Sequence, residues 1–139
     1  MIDANELLRA WILSSGAVTT LVGTGNANGG VYCGDLPEKF DPKLGPGVQI
    51  RREGGLGSSE IPGLIDARMR VRVWVDVEEY DVASRVYGAI YDLIHGSTDL
   101  TNDFGTVVRC IEITSPQDLT DPDTGWSTVI GFFSLMAHS

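Results

Sequence analysis

From Ala67 to Val77 every odd position is small or apolar (Ala67, Met69, Val71, Val73, Val75, Val77), whereas the even positions read Arg68, Arg70, Arg72, Trp74 and Asp76. Alternation with period two, sustained over a stretch of this length, predicts a half-buried β-strand. After Glu78 and Glu79 the period changes. Val82, Val86, Ala89, Ile90, Leu93 and Ile94 recur at helical spacing, which predicts a helix from Asp81 to His95 with Gly96 as its C′ residue. A strand and a helix that are each apolar on one face can bury those faces against each other, and such a pair is the natural nucleus of a two-layer α+β domain. The expected core sets Met69, Val71, Val73 and Val75 against Leu8, Ile12, Val86, Ile90 and Leu93.

The flanking segments supply the rest of both layers. Asp3 and Glu6 form a D-x-x-E start, and Leu7, Leu8, Trp11 and Ile12 follow as an apolar stripe, so a first helix is expected from about Ala4 to Leu13. Ser14, Ser15 and Gly16 stop it, and Ala17 to Val22 make a short helical turn that ends at Gly23. Gly23 to Gly30 (GTGNANGG) is a loop by composition. Val31 to Cys33 is a short strand. Leu36 to Gly47, rich in proline and glycine, is a surface connection laid over the core through Leu36, Phe40 and Leu44. Val48 to Glu53 is a strand, joined to the long strand as an antiparallel hairpin through a mobile tip at Gly54 to Gly63. After the second long helix, Ser97 to Gly105 is polar and acidic, and Val107 to Thr114 is another strand. Ser115 to Gly125 (SPQDLTDPDTG) reads as turn chemistry. Trp126 to Ala137 is the last strand, with Phe132 and Phe133 on opposite faces so that both faces are covered. The pattern predicts one α+β domain over residues 1–139, a mainly antiparallel sheet of about four to five strands packed against two helices.

Composition narrows the function classes. A chain of 139 residues that is 42% hydrophobic can bury a core without metal or disulfide staples. No basic N-terminal region precedes an apolar run, and no run approaches the ~20 residues of a membrane span, so a soluble chain that is not exported is expected. Cys33 and Cys110 lie far apart without metal or redox spacing and are expected to be ordinary free thiols. The net charge of −9 argues against a protein that binds nucleic acid by neutralising phosphates. Yet five of the ten basic residues fall in two segments, Arg51–Arg52 and Arg68, Arg70, Arg72. Such a strip is either a solvated sheet face or half of a complementary contact.

Catalytic constellations are sparse. The glycines of Gly23 to Gly30 lack G-x-G-x-x-G spacing, a preceding strand and a following helix, so they do not make a nucleotide loop. His95 sits at a helix end, where a histidine complements the helix dipole, and His138 has no second histidine at i+4. Asp121, Asp123 and Gly125 lack the glycine and the glutamate of a calcium loop, since Phe132 stands where the bidentate carboxylate belongs. No serine lies in G-x-S-x-G, and Glu78 and Glu79 are a solvated strand-to-helix junction.

The order of parts resembles the tail-completion, or tail terminator, family of long-tailed bacteriophages over nearly the whole chain. The matching features are the Leu7-Leu8-Arg9-Ala10 helix, Ala17 to Gly23, the Val31-Tyr32 strand, and Gly45-Pro46-Gly47-Val48 entering a strand. They continue through Val71 to Val75, the Tyr80 to Ile94 helix, and Ile113 leading into Asp118-Leu119-Thr120-Asp121-Pro122-Asp123-Thr124-Gly125 before a final strand, the most specific part. The resemblance implies a structural virion protein without catalytic residues, cofactor or metal, assembled in the host cytoplasm and located at the head-proximal end of the tail. It implies a homo-oligomeric ring, commonly hexameric, that caps the tail tube, ends its polymerisation and provides the head-tail joining surface. The implied partners are further copies of the chain, the tail tube protein, and connector or neck proteins. DNA passes through the lumen without specific binding, and no membrane is involved. A neck or head-closure component of the same particle, and a small hydrolase or ligand-binding domain, are the alternative readings. On the ring reading, Arg68, Arg70, Arg72 and Trp74 are the candidate subunit or partner interface.

Overall fold

The computed structural model describes residues 2–57 and 63–139. The elements run α1 (Ala4–Leu13), α2 (Gly16–Val22), a short 3-10 turn (Ala27–Gly30), β1 (Val31–Cys33), β2 (Gly47–Gly57), β3 (Leu64–Val75), α3 (Tyr80–Ile94), β4 (Leu100–Asn102), β5 (Gly105–Thr120) and β6 (Ser127–His138). The strands form one six-stranded sheet in the order β1-β2-β3-β6-β5-β4. β1 pairs with β2 in parallel, and the other pairings are antiparallel. The α+β class therefore holds, but the mainly antiparallel sheet of about four to five strands on two helices becomes a mixed sheet of six strands, with one parallel pairing, and three helices.

Local chemistry sets the helix boundaries. The Asp3 carboxylate accepts from the Glu6 amide at 3.2 Å and Ser15 Oγ accepts from the Val18 amide at 3.4 Å, so each capping side chain takes up a donor that the first turn leaves orphaned. α3 ends at the C-cap His95, and Gly96 follows at φ 77°, a left-handed conformation that costs glycine little. Leu7, Leu8 and Ile12 of α1, with Val86, Ile90 and Ile94 of α3, are fully buried against Ala67, Met69, Val71 and Val73 of β3 and Phe133 and Leu135 of β6. Leu93 is only partly buried, and Ala83 and Tyr87 complete the buried stripe of α3 in its place. Gly131 explains part of this packing. It lies on the helix side of β6 opposite Val71, and a Cβ there would run into the Tyr87 ring. A glycine inside a strand here marks a close approach.

Several segments depart from the pattern expected along the chain. Val77 lies outside β3 and is 53% exposed, because the strand ends at Val75. Leu44 is 57% exposed and does not help to cover the core. Gly54 to Gly57 are not tip but strand: Gly55 pairs with Ala67 across an irregularity after Arg52, at φ 125°, and a Cβ there would strike the Asp66 carbonyl. The remainder of the expected mobile tip, 58–62, lies outside the described residues. Ser115 to Thr120 are strand as well. β6 is long enough to pair with them, Asp118 opposite Val129 and Thr120 opposite Ser127, after register shifts that absorb the interrupted alternation of β5. Pro116 is tolerated because this half of β5 is a sheet edge.

Both cysteines are free. Burial pushes the Cys110 thiol up to about 12. It pushes Cys33 up to about 11, with the Glu6 charge adding to it. An ordinary thiol is about a quarter thiolate at pH 8, and the thiolate is the reactive form. Native protein at pH 8 is therefore expected to react slowly at Cys33 and at Cys110 only after unfolding, as read by the time course of a thiol-specific chromophore. Rapid labelling of both sites would contradict the burial described.

Candidate functional site

The helices cover one face of the sheet, and the even positions of β3 point away from them. Cross-strand register assembles what that second face carries. Arg51 lies opposite Arg70 and Gln49 opposite Arg72 on one side of β3, while Ser134, Phe132, Ile130 and Thr128 of β6 lie opposite Arg68, Arg70, Arg72 and Trp74 on the other. Four arginines therefore share one open surface with the carboxylates Glu53 and Asp66. Like charges directly opposite each other, as at Arg51 and Arg70, oppose pairing. The Arg70 guanidinium is held by Glu53 at 2.8 Å, and the two side chains are 19% and 34% exposed. Asp66 accepts from Ser134 Oγ at 2.7 Å.

The candidate interface residues are brought together, but in different states. Arg68 is exposed, its guanidinium lying over the Phe132 ring at 4.4 Å from the centroid. Arg72 stacks over Trp74 at 4.1 Å and donates to Thr128 Oγ1 at 3.4 Å. Burial, with Arg70 close by, draws its guanidinium below its usual pKa. Trp74 is only 8% exposed, and its Nε1 donates to Gln49 Oε1 at 2.9 Å. It belongs to a second, smaller core on the open face, made with Tyr32 and Phe40 and flanked by Leu36 and Trp126. Its ring meets Trp126 edge-on at 6.1 Å, and Trp126 meets Phe40 in the same way at 5.7 Å. The connection between β1 and β2 is drawn over this corner and pinned by Asn26, whose Nδ2 donates to the Asp41 and Gly45 carbonyls. Trp74, one of the candidate interface residues, is thus already covered by its own chain, and the accessible part of the face includes Arg51, Glu53, Arg68 and the Phe132–Ile130 strip.

The other residues with chemical potential are engaged in structure. Asp121 accepts from the Thr124 hydroxyl at 2.7 Å and the Thr124 amide at 3.0 Å, closing the turn before β6, and these bonds hold its carboxyl below the usual range. His95 Nδ1 accepts from the Glu112 amide at 3.0 Å, and its ring stacks on Tyr91 at 4.4 Å. Sequence reasoning missed a groove between α3 and β5, of about 340 Å³, with Tyr87, Tyr91, Glu112 and Asp118 in its lining. Tyr87 Oη donates to Glu112 Oε2 at 2.7 Å; burial first, and then this bond, raise the tyrosine pKa. The available signal was the Tyr-Gly-x-x-Tyr spacing of residues 87, 88 and 91, which puts two rings beside a gap on one helix face. No helix among the described residues is long and apolar enough to cross a membrane.

The fold is thus a sheet with one packed face and one open, guanidinium-lined face. The model of the family described as "Tail completion protein gp17" matches residues 6–136, and the chain belongs to that family. This is a family of structural virion proteins, not of enzymes, and it makes the chain a tail component of a virion. Among solved structures, a chain of the "Virion of native gene transfer agent (GTA) particle" has the same fold. Its TM-score is 0.72 at 18% identity, over 98% of this chain and 95% of that one. No curated protein matches the sequence.

Proposed function

We propose that this chain forms a closed ring of identical subunits, a hexamer, that caps the finished tail tube, ends its polymerisation and presents the surface to which the head joins. The observation that carries the reading is membership of the tail-completion family over residues 6–136. A ring built by one repeated heterologous contact has two unlike faces. One face matches the open end of the tube, and the other no longer offers the tube protein's self-complementary surface, so growth stops. A lumen lined with carboxylates from a chain of net charge −9 repels phosphates and lets DNA pass without sticking. Size-exclusion with light scattering on the purified chain is the direct test: a closed oligomer supports the ring, and a monomer at assembly concentrations removes it.

The open arginine face is the proposed contact with a neighbouring subunit or with the tube. Supporting this is the gathering of Arg51, Arg68, Arg70 and Arg72 on one open face of a chain whose net charge is −9. Arg68→Glu is expected to weaken assembly by about tenfold or more, and raised salt to mimic it, with the subunit's melting temperature moved by less than about 2 °C. Arg70→Glu and Arg72→Glu act in the same direction but also disturb Glu53 and Trp74, so they lower subunit stability as well. Light scattering across a salt series checks this. Assembly indifferent to both salt and Arg68 reversal returns the face to solvent.

A further inference from the structure

The β5 side of the sheet changes character halfway along. Up to Glu112 the outward backbone is occupied. β4 pairs with Gly105 to Val107, the Cys110 carbonyl accepts from the Gly96 amide at 2.7 Å, the Cys110 amide donates to the Ser97 carbonyl at 3.3 Å, and the Glu112 amide is taken by His95. From Ile113 to Thr120 the strand has β6 as its sheet partner and every residue is exposed, Ile113 by 48% and Leu119 by 36%. A long edge carrying apolar side chains, without lysine and blunted only by Pro116 and register shifts, is a template for another strand. Beside it runs the groove under α3, whose lining includes Tyr91, Glu112 and Asp118. Tyr87 engages one oxygen of Glu112, so the other is left to accept a further donor.

We propose that Ile113 to Thr120 is the docking site for an extended, basic segment of a different virion chain, which adds to β5 as a strand and lays an arginine or lysine in the groove between Tyr91, Glu112 and Asp118. The proposal rests on the reading of this chain as an assembly subunit and names the chemistry of one of its partners. Strand addition takes affinity from main-chain bonds and selectivity from alternate side chains. Here the selective position is acidic and aromatic, a setting that favours a cation through charge-assisted bonds and the ring face. A second copy does not supply such a segment. Arg9 and Arg85 are on helices, Arg51, Arg52, Arg68, Arg70, Arg72 and Arg109 are in strands, and Lys39 and Lys43 lie in the connection that Asn26 pins. The edge of β2 is also closed at Arg52, whose amide donates to Asn5 Oδ1 at 2.9 Å.

The test uses the full chain and two short capped peptides of alternating valine and threonine, one with a central arginine and its twin with glutamate there. Amide hydrogen exchange reports on 113–120, and light scattering on the same samples reports the oligomer. The arginine peptide is expected to slow exchange along this edge by about tenfold or more. The glutamate twin is expected to bind at least about tenfold more weakly, and Asp118→Asn to narrow that difference without changing the fold. No protection, equal binding of the two peptides, or protection in the chain alone that grows with its own concentration overturns the proposal; the last places a second copy on the edge. A ring that forms but ignores both peptides removes this site and keeps the ring, whereas a monomer that binds the arginine peptide does the reverse.

Discussion

A Val73→Asp chain is expected not to fold. Val73 is fully buried near the C-terminal end of β3, opposite Val48 on one side and Val129 on the other, under the helix layer. The substitution removes roughly 1.5–3 kcal/mol of apolar burial. It also places a carboxyl where no donor is offered, which costs several kcal/mol more whether the group ionises or takes up a proton. Against a total stability of about 5–15 kcal/mol, that loss removes most or all of the folded population. Circular dichroism melting checks it. A soluble variant with an unchanged melting curve would mean that the faces of β3 are assigned inside out. Arg68→Glu, five residues earlier on the opposite face, is the matched control, because there the subunit is expected to stay folded.

The larger biological effect is expected when the chain is absent. A phage or phage-like particle that lacks it should fill heads with DNA, and its tails should grow to uncontrolled lengths and remain unjoined. The argument is geometric: a tube whose end still presents the surface on which the last ring was added has no reason to stop, and a free tube end lacks the second surface that a head connector meets. Electron microscopy of the mutant lysate reads both quantities at once. Tails of normal length joined to heads would end the terminator reading, and tails of normal length left unjoined would transfer the chain to the neck.

The sequence was most legible where one periodicity governed a segment and long-range pairing merely agreed with it. In β3 the small and apolar residues from Ala67 to Val75 mark the packed face because the helix-side face is buried throughout; in α1 the Asp3 cap and the Leu7, Leu8, Trp11, Ile12 stripe mark both the start and the inward side. Legibility failed where the partner strand decided. Ser115 to Thr120 carry turn-forming residues, and only the length of β6 makes them a strand. The parallel pairing of β1 with β2 depends on where the connection between them returns, which no local pattern encodes. The arginine face could be read because its residues alternate with the core, but the covering of Trp74 could not, since Phe40 and Trp126 reach it from opposite parts of the chain. The groove under α3 escaped for a related reason: it is bounded by Glu112 and Asp118, on either side of register shifts that hide which way β5 side chains point.

The place of β6 in the sheet bears on when a subunit becomes competent. It lies between β3 and β5, with residue 64 paired to residue 138, so the strand made last is the one that joins the two halves. Before it emerges from the ribosome, the β2–β3 hairpin can already be covered by α1 and α3, but it is not yet joined to the β4–β5 hairpin through a shared strand. Because pairings this distant in sequence form late and slowly, the sheet is closed across its middle only once β6 is available. The open arginine face, built from β2, β3 and β6, is therefore complete only in a subunit whose β6 has docked.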